Sequence, residues 1–427
     1  MRAGRWSELA LLVFAVLFLA VGVVELALTQ NLPVAQAAWG PCLIFALALL
    51  ALHGFLAWRW ARADQLLVPT SAMLSALGLV MIARLEPALF GRQALWIALG
   101  ATALIATLTL LPSLEWLAQY KYTWAALGCA LILATFVFGV DLNGSGMRWW
   151  LGAGGVYFQP SEVFKVLLVI FVASYLAEKR ELITLAGPRL GPWQLPALPY
   201  LVPLLIMVLL ALGLVVAHTE LGAALLYFGL FLALLYVATG QARFVVTGLA
   251  AFAVGSLAAY RLFGHVRDRV AIWLDPWADA QGRGYQVVQA LIALGAGGVL
   301  GSGLGYGYPE YIPAVYTDFI IAAIGEELGL LGTLGLVMLY LLLVYRGYRI
   351  ALRAPDAYLQ LLATGLSTVL ALQALVILGG TTRLLPLTGI PLPFVSYGGS
   401  ALLANFVLLG LLLRISAETP EQAPRRA

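Results

Sequence analysis

Apolar residues run along this chain in blocks of about twenty, broken by short clusters of Gly, Pro and charge. A helix rising about 1.5 Å per residue needs roughly 20 apolar residues to cross a hydrocarbon core ~30 Å thick. Blocks of that length predict twelve spanning helices, near residues 8–29, 39–58, 67–84, 94–112, 122–140, 160–177, 197–217, 220–239, 242–262, 317–346, 357–379 and 392–414. Runs such as Leu201–Val216 and Leu334–Val344 lack the alternation that a barrel strand requires. The pattern predicts an all-α polytopic membrane protein.

Composition agrees and narrows the class. The chain is 63% hydrophobic and only 10% charged, where a soluble domain carries about 25% charged residues. Its first apolar run is too long for a signal-peptide core and has no small-residue cleavage pattern, so it reads as an uncleaved helix. The formal charge of +4 reports topology, because no basic stripe lies on a soluble face and nucleic acid is not an expected partner. With the N-terminus placed inside, fifteen Lys and Arg fall in inner segments and eight in outer ones. Both termini are therefore expected on the cytoplasmic side of the membrane. Cys42 and Cys129 fall in apolar segments without metal or disulfide spacing.

The longest gap between blocks, residues 263–316, is expected on the outer face. Loops beyond about 12–15 residues are commonly functional. This one holds Arg267, Arg269 and Arg283, several Trp and Tyr, and VVQALIALGAGGVL, a stretch too broken by Gly to span. Short helices packed on the membrane domain, or dipping into it, are expected there. Residues 417–427 read as a cytoplasmic tail with a frayed end.

Acids on an apolar helix are the strongest chemical signal. In VYTDFIIAAIGEELGLLG, Asp318 stands where the loop rejoins the membrane. Thr317 is a candidate cap and an acid in a first helical turn suits the dipole, so position alone leaves Asp318 open between helix cap and proton acceptor. On one continuous helix Glu326 and Glu327 lie ~12–13 Å deeper. Acids at such depth normally find a partner, and Lys165 or Arg383 are candidates. They read as structural anchors. Gln159-Pro160-Ser161-Glu162 opens a helix, and Glu162 and Lys165, three apart, share a face. Asn143 to Trp150 is a turn with Arg148 and an aromatic pair; His218-Thr219-Glu220 places polar groups between two spans. Pro391 to Ser400 interrupts an apolar block, which membranes tolerate where the backbone is buried in protein or lines a cavity.

Together these motifs resemble the SEDS proteins (shape, elongation, division and sporulation), the FtsW/RodA/SpoVE-like peptidoglycan glycosyltransferases. The resemblance runs in order through Gln159-Pro160-Ser161-Glu162 with Lys165, Leu274-Asp275-Pro276, Gly284-Tyr285-Gln286, Thr317-Asp318-Phe319, Gly325-Glu326-Glu327-Leu328-Gly329, and Pro391 to Ser400. It implies a ten-helix SEDS-type core over residues 65–416, with residues 1–64 an additional N-terminal helix pair. Tyr316 stands where the family commonly has His, and Glu220 where Asp is usual.

By that resemblance the protein polymerises lipid II, an undecaprenyl-pyrophosphate-linked disaccharide peptide, at the outer face of the bacterial cytoplasmic (inner) membrane during elongation or division. A class B penicillin-binding protein transpeptidase is the implied partner. Asp318 takes the catalytic role as general base. Arg267 and Arg269 are the first candidates to hold the pyrophosphate, with Arg148, Arg383 and Ser396 also assigned to substrate. Glu162, Lys165, Glu326, Glu327 and Tyr316 are assigned supporting roles. A Mg or Mn ion suits the diphosphate's charge, but no ligand cluster compels a metal site. The rival expectation is a flippase of the same precursor, which would place its key charges near the midplane on repeated halves; no repeat is evident.

Overall fold

Each apolar block folds as a helix, because an unpaired backbone group in an apolar slab costs several kcal/mol and a helix pairs its own. The computed structural model describes residues 4–29, 39–142, 144, 146–190, 193–196 and 198–418, with the backbone alone at 186–190, 193–196 and 198. Asn143, Ser145 and the tail beyond Glu418 lie outside the described residues, as do Arg2, Arg425 and Arg426. The first helices are α1 (Trp6–Thr29), α2 (Trp39–Arg59), α3 (Leu67–Leu85), α4 (Pro87–Leu110), the short α5 (Leu114–Gln119) and α6 (Lys121–Phe138). A two-stranded hairpin, β1 (Leu151–Ala153) and β2 (Val156–Phe158), leads into α7 (Pro160–Thr184). A second hairpin, β3 (Ala186–Leu190) and β4 (Trp193–Pro196), precedes α8 (Leu198–Ala217), α9 (Leu221–Thr239) and α10 (Ala242–Leu262). The long loop forms α11 (Gly264–Leu274) and α12 (Tyr285–Gly297), and α13 (Ile320–Arg353), α14 (Ala357–Thr381) and α15 (Gly399–Glu418) complete the chain.

Among the described residues twelve helices are long and apolar enough to cross a membrane. α3, α7, α14 and α15 are mostly buried and form the centre; α1 packs on α3, and α2 on α4. The far end of the bundle, opposite α11 and α12, is fastened by Arg5. It pairs with Glu8 and donates to the carbonyls of Trp60 and Ala63, so the first helix pair is tied to the approach to α3. Four expected boundaries moved by seven residues: α7 runs on to Thr184, past 177, α13 runs on to Arg353, past 346, and two helices start elsewhere than expected. α4 begins at Pro87, seven residues before the block near 94. The last block, expected from 392, is a helix only from Gly399; residues 392–398 form turns.

The largest departure is in α13. Gly329 has φ 68° and ψ −167°, so the helix breaks there. The break is backbone-paired: Ser302 and Gly303 donate to the Glu326 and Glu327 carbonyls, and Leu330 and Leu331 donate to those of Gly298 and Val299. A side chain at Gly329 would meet the Gly301 nitrogen at 2.3 Å, so glycine is required both for the dihedral and for the approach.

The break changes the depth of the two glutamates. Asp64 at the far end of α3 pairs with Arg346, whereas Arg84, near the other end of α3, donates to Glu327 at 2.9 Å and to the Gly307 carbonyl at 2.9 Å. Glu327 therefore sits at the loop-side end. Thr317 is bonded to Ser396, next to Val395, whose backbone lies against Gly78, six residues (~9 Å) inward of Arg84. The glutamates are thus not deeper than Asp318, as a continuous helix would have made them. Nor do Lys165 or Arg383 pair with them: Arg84 does, and Glu326 accepts from the Tyr308 N–H at 2.8 Å.

Removing one member of a buried ion pair strands the other. Arg84→Ala is expected to cost ~3–5 kcal/mol, because the Glu327 side chain is fully buried. The midpoint of thermal unfolding in detergent measures it, and Arg84→Ala/Glu327→Gln should recover much of the loss.

Candidate functional site

A cavity of about 140 Å³ opens at the loop-side end between α7, α9, α11 and the turns before α13 and α15. Its walls carry three acids, Glu162, Glu220 and Asp318, two cations, Lys165 and Arg269, and uncharged polar groups including Gln159, Ser161, Thr219 and Gln373.

Asp318 is placed by turns, not by a helix. The Asp318 N–H and the Thr317 hydroxyl both donate to the Ala314 carbonyl, at 3.2 and 2.9 Å, and α13 starts only at Ile320 with Phe319 at the cap position. Thr317 is therefore no cap, and Asp318 is not in the first helical turn. The segment is held from the other side by Ser396, whose Oγ donates to the Thr317 carbonyl at 2.5 Å and accepts from the Leu392 N–H at 3.0 Å. Tyr397 N–H donates to the Tyr316 carbonyl at 2.9 Å, and the two rings meet edge to face. Ser396 and Tyr316 thus fix the Asp318 backbone and do not line the cavity. Across from Asp318, Gly389 at φ 69° leaves open the space a side chain would take.

Burial pushes the Asp318 carboxyl up to about 6, and the Thr317 hydroxyl and the Arg269 charge pull it back part of the way. Arg269 is itself eased below its ordinary value by burial, with Asp318 acting in the opposite direction. One of its N–H groups donates to the Leu387 carbonyl at 3.2 Å, which leaves others for a ligand.

The structure separates the sequence candidates. Arg267 and Arg269 are two apart on α11, so they point to nearly opposite sides; Arg267 is exposed and Arg269 lines the cavity. Arg148 is also exposed and outside the cavity. Arg383 is a clasp: it donates to the Leu274 carbonyl at 2.9 Å, and its own carbonyl accepts from Trp273 Nε1 at 3.1 Å. Glu326 and Glu327 belong to the loop anchor already described. Residues not assigned to the site from the sequence are brought in: Gln373 from α14, Tyr227, and Trp149 and Glu220 from turns noted only as aromatic or polar. Glu220 carried the one usable signal, an acid in a polar turn between two spans.

At the floor, Lys165 Nζ donates to Glu162 at 2.6 Å, to Gln373 at 3.0 Å and to Asn405 at 2.9 Å. An ammonium has three donors. All three are used, so Lys165 serves the framework.

Fold and cavity together define a polytopic helical membrane protein with an acid-and-arginine site under a loop of short helices. The family model described as cell cycle protein, FtsW/RodA/SpoVE, matches residues 64–421, and the chain belongs to that family. It is 42% identical to the peptidoglycan glycosyltransferase RodA of Mycobacterium tuberculosis, over 96% of this chain and 90% of that one. It is 33% identical to the probable peptidoglycan glycosyltransferase FtsW of Geobacter metallireducens, over 76% of this chain and 84% of that one. A solved structure concerned with the coordination of polymerization and crosslinking by a peptidoglycan synthase complex superposes with a TM-score of 0.68 at 30% identity, covering 83% of this chain and 97% of that chain. The match to the mycobacterial relative leaves only 4% of this chain uncovered, so most of the α1–α2 pair has a counterpart there.

Lys165→Met should lower stability by ~3–5 kcal/mol, because it leaves Glu162 charged and buried. Adding Glu162→Gln should restore most of it. Equal unfolding midpoints for Lys165→Met and wild type in detergent would contradict the framework role.

Proposed function

We infer that this chain is a peptidoglycan glycosyltransferase that polymerises lipid II, with Asp318 as the general base. The supporting observation is the pairing of charges in one loop-side cavity: a half-buried carboxyl whose pKa is raised toward neutrality, faced by an arginine that keeps free donors. A base poised near the working pH is the most effective proton acceptor. An arginine in a partly dry site is suited to a diphosphate, whose oxygens match its fork of donors. Asp318 takes the proton of the acceptor sugar's 4-hydroxyl as that oxygen attacks the donor's anomeric carbon, and Arg269 holds the diphosphate that leaves. Among the described residues no group of three metal-ligating side chains converges; a Mg or Mn ion would be held chiefly by the substrate's own phosphates.

The excess of Lys and Arg on the other segments supports an extracytoplasmic loop, with both termini in the cytoplasm. Residues 1–64 form an accessory helix pair before a catalytic membrane domain at 65–416. The likeness to a synthase complex supports pairing with a class B penicillin-binding protein transpeptidase. The higher identity and coverage against the RodA relative favour the shape-determining branch over division.

Purified protein with its partner, given lipid II, should make glycan chains. Asp318→Asn should lower that rate by ~10²–10⁴-fold while remaining folded. Near-normal chains from this variant would remove the assignment, and transbilayer movement of lipid II without polymerisation would favour a flippase. A base with its pKa at about 6 is ionised only above it, so the wild-type rate should fall as pH drops below that value and level off above. Arg269→Ala should raise KM for lipid II strongly and Arg267→Ala little; the reverse order would exchange their roles.

A further inference from the structure

The cavity holds three carboxyls, and the reaction just proposed uses one of them. Lys165 neutralises Glu162, and Arg269 faces Asp318. Among the described residues Glu220 makes no ion pair. The groups turned to its carboxyl are the uncharged Ser161 and Gln159 side chains, and the charge that acts on it is Glu162, which opposes its ionisation.

Its position is built into the fold. Thr219 takes φ 61°, a left-handed conformation that strains a β-branched residue. Trp149 Nε1 donates to the His218 carbonyl at 2.7 Å, and the Glu220 N–H donates back to the Val215 carbonyl at 2.9 Å. Tyr227 on α9 donates to the Ser161 carbonyl at 2.7 Å and so holds the residue that faces Glu220. The turn thus ends α8 and sets Glu220 among the residues that line the cavity.

We propose that Glu220 is the acid partner of Asp318, lining the same cavity and giving its proton to the departing diphosphate. This deepens the reading of Asp318 as base and rests on it. Asp318 accepts the hydroxyl proton and the acceptor oxygen bonds to the anomeric carbon. The bond from that carbon to the diphosphate oxygen breaks with its electron pair on oxygen, and Glu220 supplies that oxygen's proton. Between turnovers Asp318 releases a proton to solvent and Glu220 takes one back, so the cycle closes. Two carboxyls whose surroundings push their titrations apart divide the work of base and acid. Burial raises the Glu220 carboxyl to about 7, with the Ser161 and Gln159 side chains pulling it back and Glu162 adding to the rise; Asp318 is raised to about 6. The charged or titratable groups around it are Glu162 and Lys165 on α7, Tyr227 on α9, Arg269 on α11, Asp318, and His218 in its own turn; α14 contributes only the neutral Gln373.

The test is the pH profile of lipid II turnover by the full chain with its partner at saturating substrate. Wild type should be bell-shaped, its alkaline limb set by Glu220. Glu220→Gln should lose that limb and lower kcat by ~10²-fold or more with KM little changed. Glu220→Asp should keep the limb but move it to lower pH, following the lower intrinsic pKa of Asp. An alkaline limb that stays in Glu220→Gln, or does not move in Glu220→Asp, overturns the proposal, and the second variant decides should the first unfold. Wild type that makes no chains would sink the glycosyltransferase reading itself. Active wild type with a dead Asp318→Asn and an unaltered Glu220→Gln would sink only the role of Glu220.

Discussion

Backbone that leaves the helix inside an apolar bundle must have every freed N–H and C=O paired by protein, and the site exists because this chain meets that demand. Around Pro391 to Ser396 the pairing comes from side chains. Ser396 bridges the Leu392 N–H and the Thr317 carbonyl, Gln93 reaches the Ser396 carbonyl at 3.3 Å, and Tyr340 donates to that of Pro393 at 2.5 Å. At Gly329 it comes from another loop, residues 298–303. The first of these segments holds the turn that carries Asp318, through Ser396 and Tyr397. Neither segment would persist at that depth as a free loop.

The same demand explains the division of the charged residues. Arg84 with Glu327 and Lys165 with Glu162 are satisfied pairs, tied by further hydrogen bonds to backbone or amide groups. They hold elements together and have few donors left over. Asp318, Arg269 and Glu220 are placed differently, each in the cavity wall with incomplete pairing and a titration moved by burial. Incomplete pairing leaves hydrogen-bonding capacity open toward the cavity, and burial without full neutralisation raises both carboxyls, the arrangement on which the proposed proton transfer rests.

Hydropathy and spacing determined the helices themselves, because crossing an apolar slab imposes a length and a composition that any window of the chain reports. Glu162 and Lys165 were legible for a similar reason: their three-residue spacing on one helix is a local fact. The chain also marked Asp318, through an acid at the edge of a long arginine-bearing loop. Only the tertiary structure decided that Arg269 and not Arg267 reaches the cavity, that Arg84, 243 residues away, is the partner of Glu327, and that Glu220 lines the same cavity as Asp318. Those outcomes depend on how distant helices rotate and pack and on one glycine break that redirects α13. Local pattern carries no information about rotation between helices, so the sequence could name the charged residues but not which of them would meet.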